Sequence, residues 1–288
     1  MNPCSNASVA AHESMVGTAA DQTLHWVGVE VRGPWKPKAI TDNSLPPSVQ
    51  AWLLRMKARP NTRPVFLRRR NRRAQMAVQY ANVETGRVHM FEVERHEDIL
   101  HLPWDGLFAG TTDVGLTDQE PVWVCAHGNR DHCCGLHGPA FARALEQIAP
   151  GRAWLCTHLG GHRFAATAVA LPTGAHFGRL RSDDAANLVE ALHTGVLHNL
   201  HKYRGNVRYP PFVQAAEAHI RAREALMNID AKIVLEWAMD EDNGRVRVQS
   251  HHGERWLRVS SVRVEPLTPS SCGAAPTPLR TWHITPEP

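Results

Sequence analysis

VWVCAHGNRDHCCGLHG, residues 122–138, followed by WLCTHLGGHRF at 154–164, places four of the chain's six cysteines and five of its eighteen histidines within some forty residues. Around this block, PVWVCAH (121–127) has the apolar run of a buried strand. GPAFARALEQIAP (138–150) follows as a helix, with Phe141, Leu145 and Ile148 along one face and Pro139 in the first turn, where a missing N–H is tolerated. RAWLCTH (152–158), FAATAVALP (164–172) and AHFGRL (175–180) read as strands, the last two joined by a Pro-Thr-Gly turn. SDDAANLVEALHTG then reads as a helix with Ser182 as N-cap, acids in its first turn and a stop at Gly195. The order is β-α-β-β-β-α.

The preceding half repeats it. LHWVGVEV (24–31) is a strand, PPSVQAWLLRMKAR (46–59) a helix, and PVFLR (64–68), QMAVQYANV (75–83) and RVHMFEVE (87–94) three more strands before the short helix HEDILHL. The simplest α/β arrangement is two tandem thioredoxin-like halves, although periodicity accepts other α/β sandwiches. The expected units are 1–115, a thioredoxin-like half without cluster ligands; 116–205, the half carrying the Cys/His block; and 206–288, a helix with a β-rich extension. The tail TPSSCGAAPTPLRTWHITPEP, rich in Pro and Ser, is expected to wrap the surface, and Cys4 and Cys272 to be isolated reduced thiols.

A chain of 288 residues can bury a core without disulfides, and 43% hydrophobic with 21% charged residues is ordinary globular composition. Net charge +4 permits an acidic partner without requiring one. Residues 1–23 carry no apolar leader core and no run approaches a membrane span, so the expected address is cytoplasmic, with no membrane partner. Thiols stay reduced there, which turns clustered Cys and His toward metal or redox chemistry. The basic run LRRRNRR (67–73) lacks any accompanying nucleic-acid motif; a solvated connection is expected, with a docking patch for an acidic redox partner second. No G-x-S-x-G occurs and the acids are scattered, so a hydrolase is not expected and no catalytic residue is assigned.

Cys125 and Cys134 are separated by eight residues across a strand-loop-helix connection, His158 and His162 by three across Gly160-Gly161. Two thiolates and two imidazoles are then expected to face one point, a tetrahedral site for one zinc or two adjacent tetrahedra for a two-iron cluster. Eight residues is wide for a zinc knuckle, whereas a [2Fe–2S] cluster tolerates the wider loop; a zinc ion and a cluster both remain open on spacing alone. Adjacent Cys133 and Cys134 cannot both face one metal, and the spacing favours Cys134. Arg130, Asp131, Arg163, Cys133 and Cys156 are the expected surrounding groups: an arginine to favour the reduced state, Asp131 to orient an imidazole, Cys156 as a packed strand thiol or spare ligand.

The blocks CAHGNRDHCCGLHG, THLGGHRFAATAVALPTGAHFGRL and KYRGNVRYPPFVQAAEA, with a weaker match at VGVEVRGPW, resemble the sucrase/ferredoxin-like family. The resemblance implies a thioredoxin-like [2Fe–2S] ferredoxin domain, with the cluster on Cys125, Cys134, His158 and His162. The implied function is electron transfer between donor and acceptor proteins; if His158 and His162 each bind through one nitrogen, the other can take up a proton on reduction, so proton-coupled transfer is expected. A zinc-stabilised binding protein on the same four residues is the alternative, and a thioredoxin-type thiol oxidoreductase using Cys125 or Cys133 a weaker one. The resemblance also covers Tyr203, Arg204 and Gly205, without a role for them.

Overall fold

The computed structural model describes residues 3–70, 73–197, 199–239 and 244–287. Its centre is a nine-stranded sheet. From the first half come β1 (His25–Glu30), β2 (Thr62–Arg68), β3 (Met76–Asn82) and β4 (Arg87–Val93); from the second come β5 (Val122–Cys125), β6 (Ala153–Cys156), β7 (Ala168–Ala170) and β8 (Ala175–Phe177), with β9 (Tyr203–Asn206) at the edge. The order is β4-β3-β1-β2-β6-β5-β7-β8-β9.

Each half has the same internal wiring. β1 and β2 run parallel, as do β5 and β6, and each pair is joined by a crossover helix: α2 (Pro47–Ala58) in the first half, α4 (His132–Ile148) in the second. β3 and β7 then lie antiparallel beside β1 and β5, with β4 and β8 outside them. The halves meet edge to edge where β2 pairs antiparallel with β6, Leu67 opposite Cys156. A parallel edge strand left open would invite foreign pairing; here each half closes the other.

Period-two alternation assigns the faces. Trp26, Val65, Leu67, Trp123, Cys125 and Cys156 pack in one core shared by both halves, with the Trp26 and Trp123 rings edge to face at 5.9 Å. Val27, Val29 and Phe66 pack instead with α2, a 3₁₀ segment at His96–His101 and α3 (Trp104–Ala109). Val122 and Val124 pack with α4 and α5 (Asp184–Thr194).

Three local expectations are corrected. α4 begins at His132, not near Pro139, because the Asp131 carboxylate caps it by accepting from Cys133 N at 2.9 Å; Pro139 lies inside the helix. α5 has Asp183 rather than Ser182 at its N-cap, although it ends as expected at Gly195 in the left-handed region. The tail does not wrap as an irregular strap. After α6 (Pro211–Glu224), β10 (Val234–Met239), β11 (Gly244–Ser250), β12 (Gly253–Pro269) and β13 (Pro276–Pro286) form an antiparallel four-stranded sheet whose Val246, Val248, Leu257 and Val259 pack against Phe212, Val213 and Ile220 of α6. α1 (Cys4–Ala10), unanticipated from sequence, lies at the N-terminus. No described helix is long and apolar enough to cross a membrane.

Candidate metal centre

Cys125 ends β5, and Cys134 sits in the first turn of α4, both essentially without solvent exposure. What brings them together is close packing of the helix start on the strand end. A Cβ at Gly138 would fall 2.0 Å from the Cys125 carbonyl oxygen, so only glycine permits this approach. The two thiols lie within 4.8 Å of each other; the neighbouring Cys134 draws the Cys125 thiol well below its ordinary pKa, and Cys125, with burial, pushes that of Cys134 up.

His158 and His162 come from the loop after β6, which turns through Gly160 and Gly161, both at positive φ, into a 3₁₀ turn at His162–Phe164. The imidazoles stack with centroids 4.0 Å apart and planes 13° from parallel. His162 Nδ1 lies 3.9 Å from Cys134 Sγ, and His158 Nδ1 is buried without a hydrogen-bond partner. Burial, then the neighbouring His158, pushes the His162 pKa down to about 4, which keeps the ring neutral and its nitrogen lone pair available.

Two arginines hold this loop. Arg63 of β2 donates from Nη2 to the His158 carbonyl at 2.8 Å. Arg204 of β9, 1% exposed, donates from Nη1 to the Gly160 carbonyl at 3.0 Å, contacts His176 Nε2 at 2.9 Å, and reaches Thr18 Oγ1 at 3.0 Å through Nε. Burial, with Arg63 and Arg163 nearby, lowers its pKa to about 9. Both guanidinium groups lie in the field of the Cys125 thiol.

The donors group in an informative way. Ligand atoms of Cys125, Cys134 and His158 lie within 4.8 Å of one another; so do those of Asp131, Cys134 and His162. The four expected ligands do not collapse to one such set among the described residues; the two groups share Cys134. Two soft thiols beside two imidazoles, the His158 ring with a buried orphan nitrogen, fit a metal group chemically.

The surrounding residues are placed as follows. Asp131 Oδ2 is 4.0 Å from His162 Nδ1. Cys156 is fully buried opposite Cys125 in the β5–β6 register, and burial raises its pKa. Cys133 turns away, 3.5 Å from Cys4 and 3.4 Å from Cys272, so neither Cys4 nor Cys272 is isolated as expected. Arg163 pairs with Glu13 at 2.7 Å and Arg130 is exposed; the guanidinium groups that hold the His158–His162 loop are those of Arg63 and Arg204. His127 Nε2 donates to the Lys36 carbonyl at 3.0 Å, His137 contacts Ser5, and His132 is exposed.

Arg204 was visible only through the resemblance of the Tyr203-Arg204-Gly205 segment; no local pattern announces a side chain that acts across 44 residues. Of the basic run, Arg69 pairs with Glu30 at 2.8 Å and Glu92 at 3.0 Å, Arg70 and Arg73 are exposed, and Asn71 and Arg72 lie outside the described residues.

No solved structure matches the chain significantly. Altered inheritance of mitochondria protein 32 of Meyerozyma guilliermondii is 33% identical over 103 residues, covering 32% of this chain and 36% of that protein. The chain thus spans, in this match, about a third of that curated relative's length. The family description sucrase/ferredoxin-like matches residues 15–205, which take in every strand of the large sheet except the last residue of β9, the ligand loop and both arginines that hold it. On the extent of that match, the chain belongs to the sucrase/ferredoxin-like family.

Proposed function

We propose that the chain is an electron-transfer protein whose second half, 116–205, holds a [2Fe–2S] cluster on Cys125, Cys134, His158 and His162. The carrying observation is the spread of these donors over two overlapping groups joined at Cys134. One tetrahedral zinc needs four donors around a single point, with a sulfur-to-sulfur edge of about 3.8 Å implied by Zn–S bonds of about 2.3 Å. Two centres suit the wider set.

When bound, such a cluster supplies a one-electron couple, and imidazole ligation raises its potential. The protein's share is to hold two thiolates and two neutral imidazoles, to keep the thiol side dry, and to set Arg63 and Arg204 near the thiols, where positive charge favours the more negative reduced state. With Nδ1 of His162 turned to Cys134, its Nε2 is the atom left to exchange a proton.

The matching wiring of the two halves supports two tandem thioredoxin-like units in one sheet, with 1–115 shaping one wall of the site and 206–288 an appended unit. Redox donor and acceptor proteins are the proposed partners, without nucleic acid or membrane. An open groove of ≈ 690 Å³, lined by Lys38, Lys57, Arg63, Arg130, His127 and His158, supports an acidic protein surface docking beside the cluster. A reducing, cytoplasmic compartment suits six free cysteines; the relative's name, which refers to mitochondria, gives the rival address.

Protein purified without oxygen is expected to be red-brown, with about two irons and two acid-labile sulfides per chain, and Cys125→Ser to lose both. Zinc in place of iron, lost on the same substitution, would give the four residues to a zinc-stabilised binding protein instead.

A further inference from the structure

A second donor set lies just across the start of α4. Cys4 opens α1, Cys133 sits in the first turn of α4, and Cys272 lies in the turn between β12 and β13. Their sulfur atoms form a nearly equilateral triangle: Cys4 to Cys133 3.5 Å, Cys133 to Cys272 3.4 Å, Cys272 to Cys4 3.6 Å. Asp131 stands over it, Oδ1 3.9 Å from Cys4 Sγ, with its carboxylate fixed by accepting from Cys133 N and Cys272 N, each at 2.9 Å. All four donor atoms lie within 4.8 Å of one another, and Cys4, Cys133 and Asp131 are buried.

We propose that Cys4, Cys133, Cys272 and Asp131 form a structural zinc site that ties the N-terminal helix and the C-terminal sheet to the start of α4. Thiol hydrogen bonds are too weak to explain why three chain segments converge their sulfurs in a buried pocket. A tetrahedral zinc with Zn–S bonds of about 2.3 Å sets sulfur atoms about 3.8 Å apart, and the observed edges are within a few tenths of an ångström of that. A disulfide joins one pair at about 2.05 Å and strands the third thiol, whereas this triangle singles out no pair. Unlike the neighbouring set, these four donors converge on one point, as a single ion requires.

Binding exchanges three thiol protons, released to solvent, for one Zn²⁺; four bonds to the metal form and no group is oxidised or reduced. Three thiolates and the Asp131 carboxylate leave the filled site with excess negative charge. The N–H groups at the start of α4 and the amide of Cys272 offset it. Closure between residues 4 and 272 spans almost the whole chain, so the ion restricts the unfolded state strongly. This site stands on its own donors and does not depend on what occupies the other four.

The test measures zinc and iron in the full-length protein. We expect one zinc per chain, lost in Cys4→Ser and in Cys272→Ser, with iron content and visible absorption unchanged in both. X-ray absorption at the zinc edge of the unaltered protein is expected to give three sulfurs at about 2.3 Å and one oxygen at about 2.0 Å; this reading does not depend on either variant folding. Zinc retained in both variants, a zinc shell of two sulfurs and two nitrogens, or zinc-free protein with a mapped disulfide among the three cysteines would each overturn the proposal.

Discussion

Cys133 and Cys134 are consecutive, equally buried, and belong to different donor sets: the Cys133 thiol lies 3.4 Å from Cys272, while that of Cys134 faces His162 Nδ1 at 3.9 Å. Successive side chains on a helix diverge by about 100°. The first turn of α4, capped by Asp131, therefore serves two groups at once, and Asp131 touches both: it accepts from Cys133 N and lies 4.0 Å from His162.

The two adjacent serine substitutions should separate the groups. Cys134→Ser is expected to abolish iron content and colour. Cys133→Ser should leave the visible spectrum intact, remove the zinc and lower the melting temperature by several degrees, the size of a shift produced by about 1–2 kcal/mol in a chain of this length. The reverse result, bleaching by Cys133→Ser alone, would show that the ligand register is displaced by one residue.

Arg204 is the positioning residue with most at stake. Its guanidinium spans Gly160 O, His176 Nε2 and Thr18 Oγ1, so Arg204→Met leaves the Gly160 carbonyl unpaired on the loop between His158 and His162 and frees His176 and Thr18 from it. Leaving a buried acceptor unsatisfied costs about 1–3 kcal/mol. The variant should melt earlier and release iron to a chelator at least tenfold faster with all four ligands intact. Arg204→Lys keeps the charge but not the fork, and should recover only part of the loss. Unchanged iron release in Arg204→Met would remove its assignment to the ligand loop.

How much of this was legible beforehand follows the range of each interaction. Strand order within each half rests on apolar runs and alternation along a few residues, and the strands fall where Val27, Val29, Val122 and Val124 indicated. The Asp131 cap was available in the sequence, but Gly135, Gly138 and Pro139 argue locally against an early helix start; packing of Gly138 on the Cys125 carbonyl overrides them. The Cys4–Cys272 contact spans 268 residues and has no periodic signature. Arg63 and Arg204 were hidden for the same reason: each acts on the ligand loop from a different strand. Arg163, beside His162 in sequence, is claimed by Glu13 instead.

Stability should fall on mild acidification. Burial lowers the pKa of His25, His127, His137 and His219, and sets that of His176 well below its ordinary value. The unfolded chain binds protons near pH 6.5, the folded chain only at lower pH, so the unfolded state holds more protons in between and stability rises with pH there. Each full unit of depression is worth about 1.4 kcal/mol once the pH lies below the folded-state value. The urea midpoint should drop between pH 7 and 5, and His176→Gln, less stable at pH 7, should show a smaller drop. A midpoint that holds or rises in acid would contradict this.

The potential should depend on pH in the opposite compartment of the scale, toward alkali. In the cluster proposed above, each histidine ligand binds through one nitrogen and leaves the other to titrate, and for His162 the free atom is Nε2, since Nδ1 faces Cys134. Electron uptake makes the site more negative and its imidazoles more basic, so a proton is bound more tightly after reduction than before. The midpoint potential must then fall as pH rises between the oxidised-state and reduced-state histidine pKa values, approaching about 59 mV per pH unit for one proton per electron. Outside that interval it should be flat. Replacing His162 by Cys supplies a thiolate without a second titrating atom; it should lower the potential and flatten the curve, while His127→Gln, beside the groove but outside the ligand set, should leave the slope unchanged. A wild-type potential flat from mildly acidic to strongly alkaline pH would remove proton coupling and leave electron transfer alone.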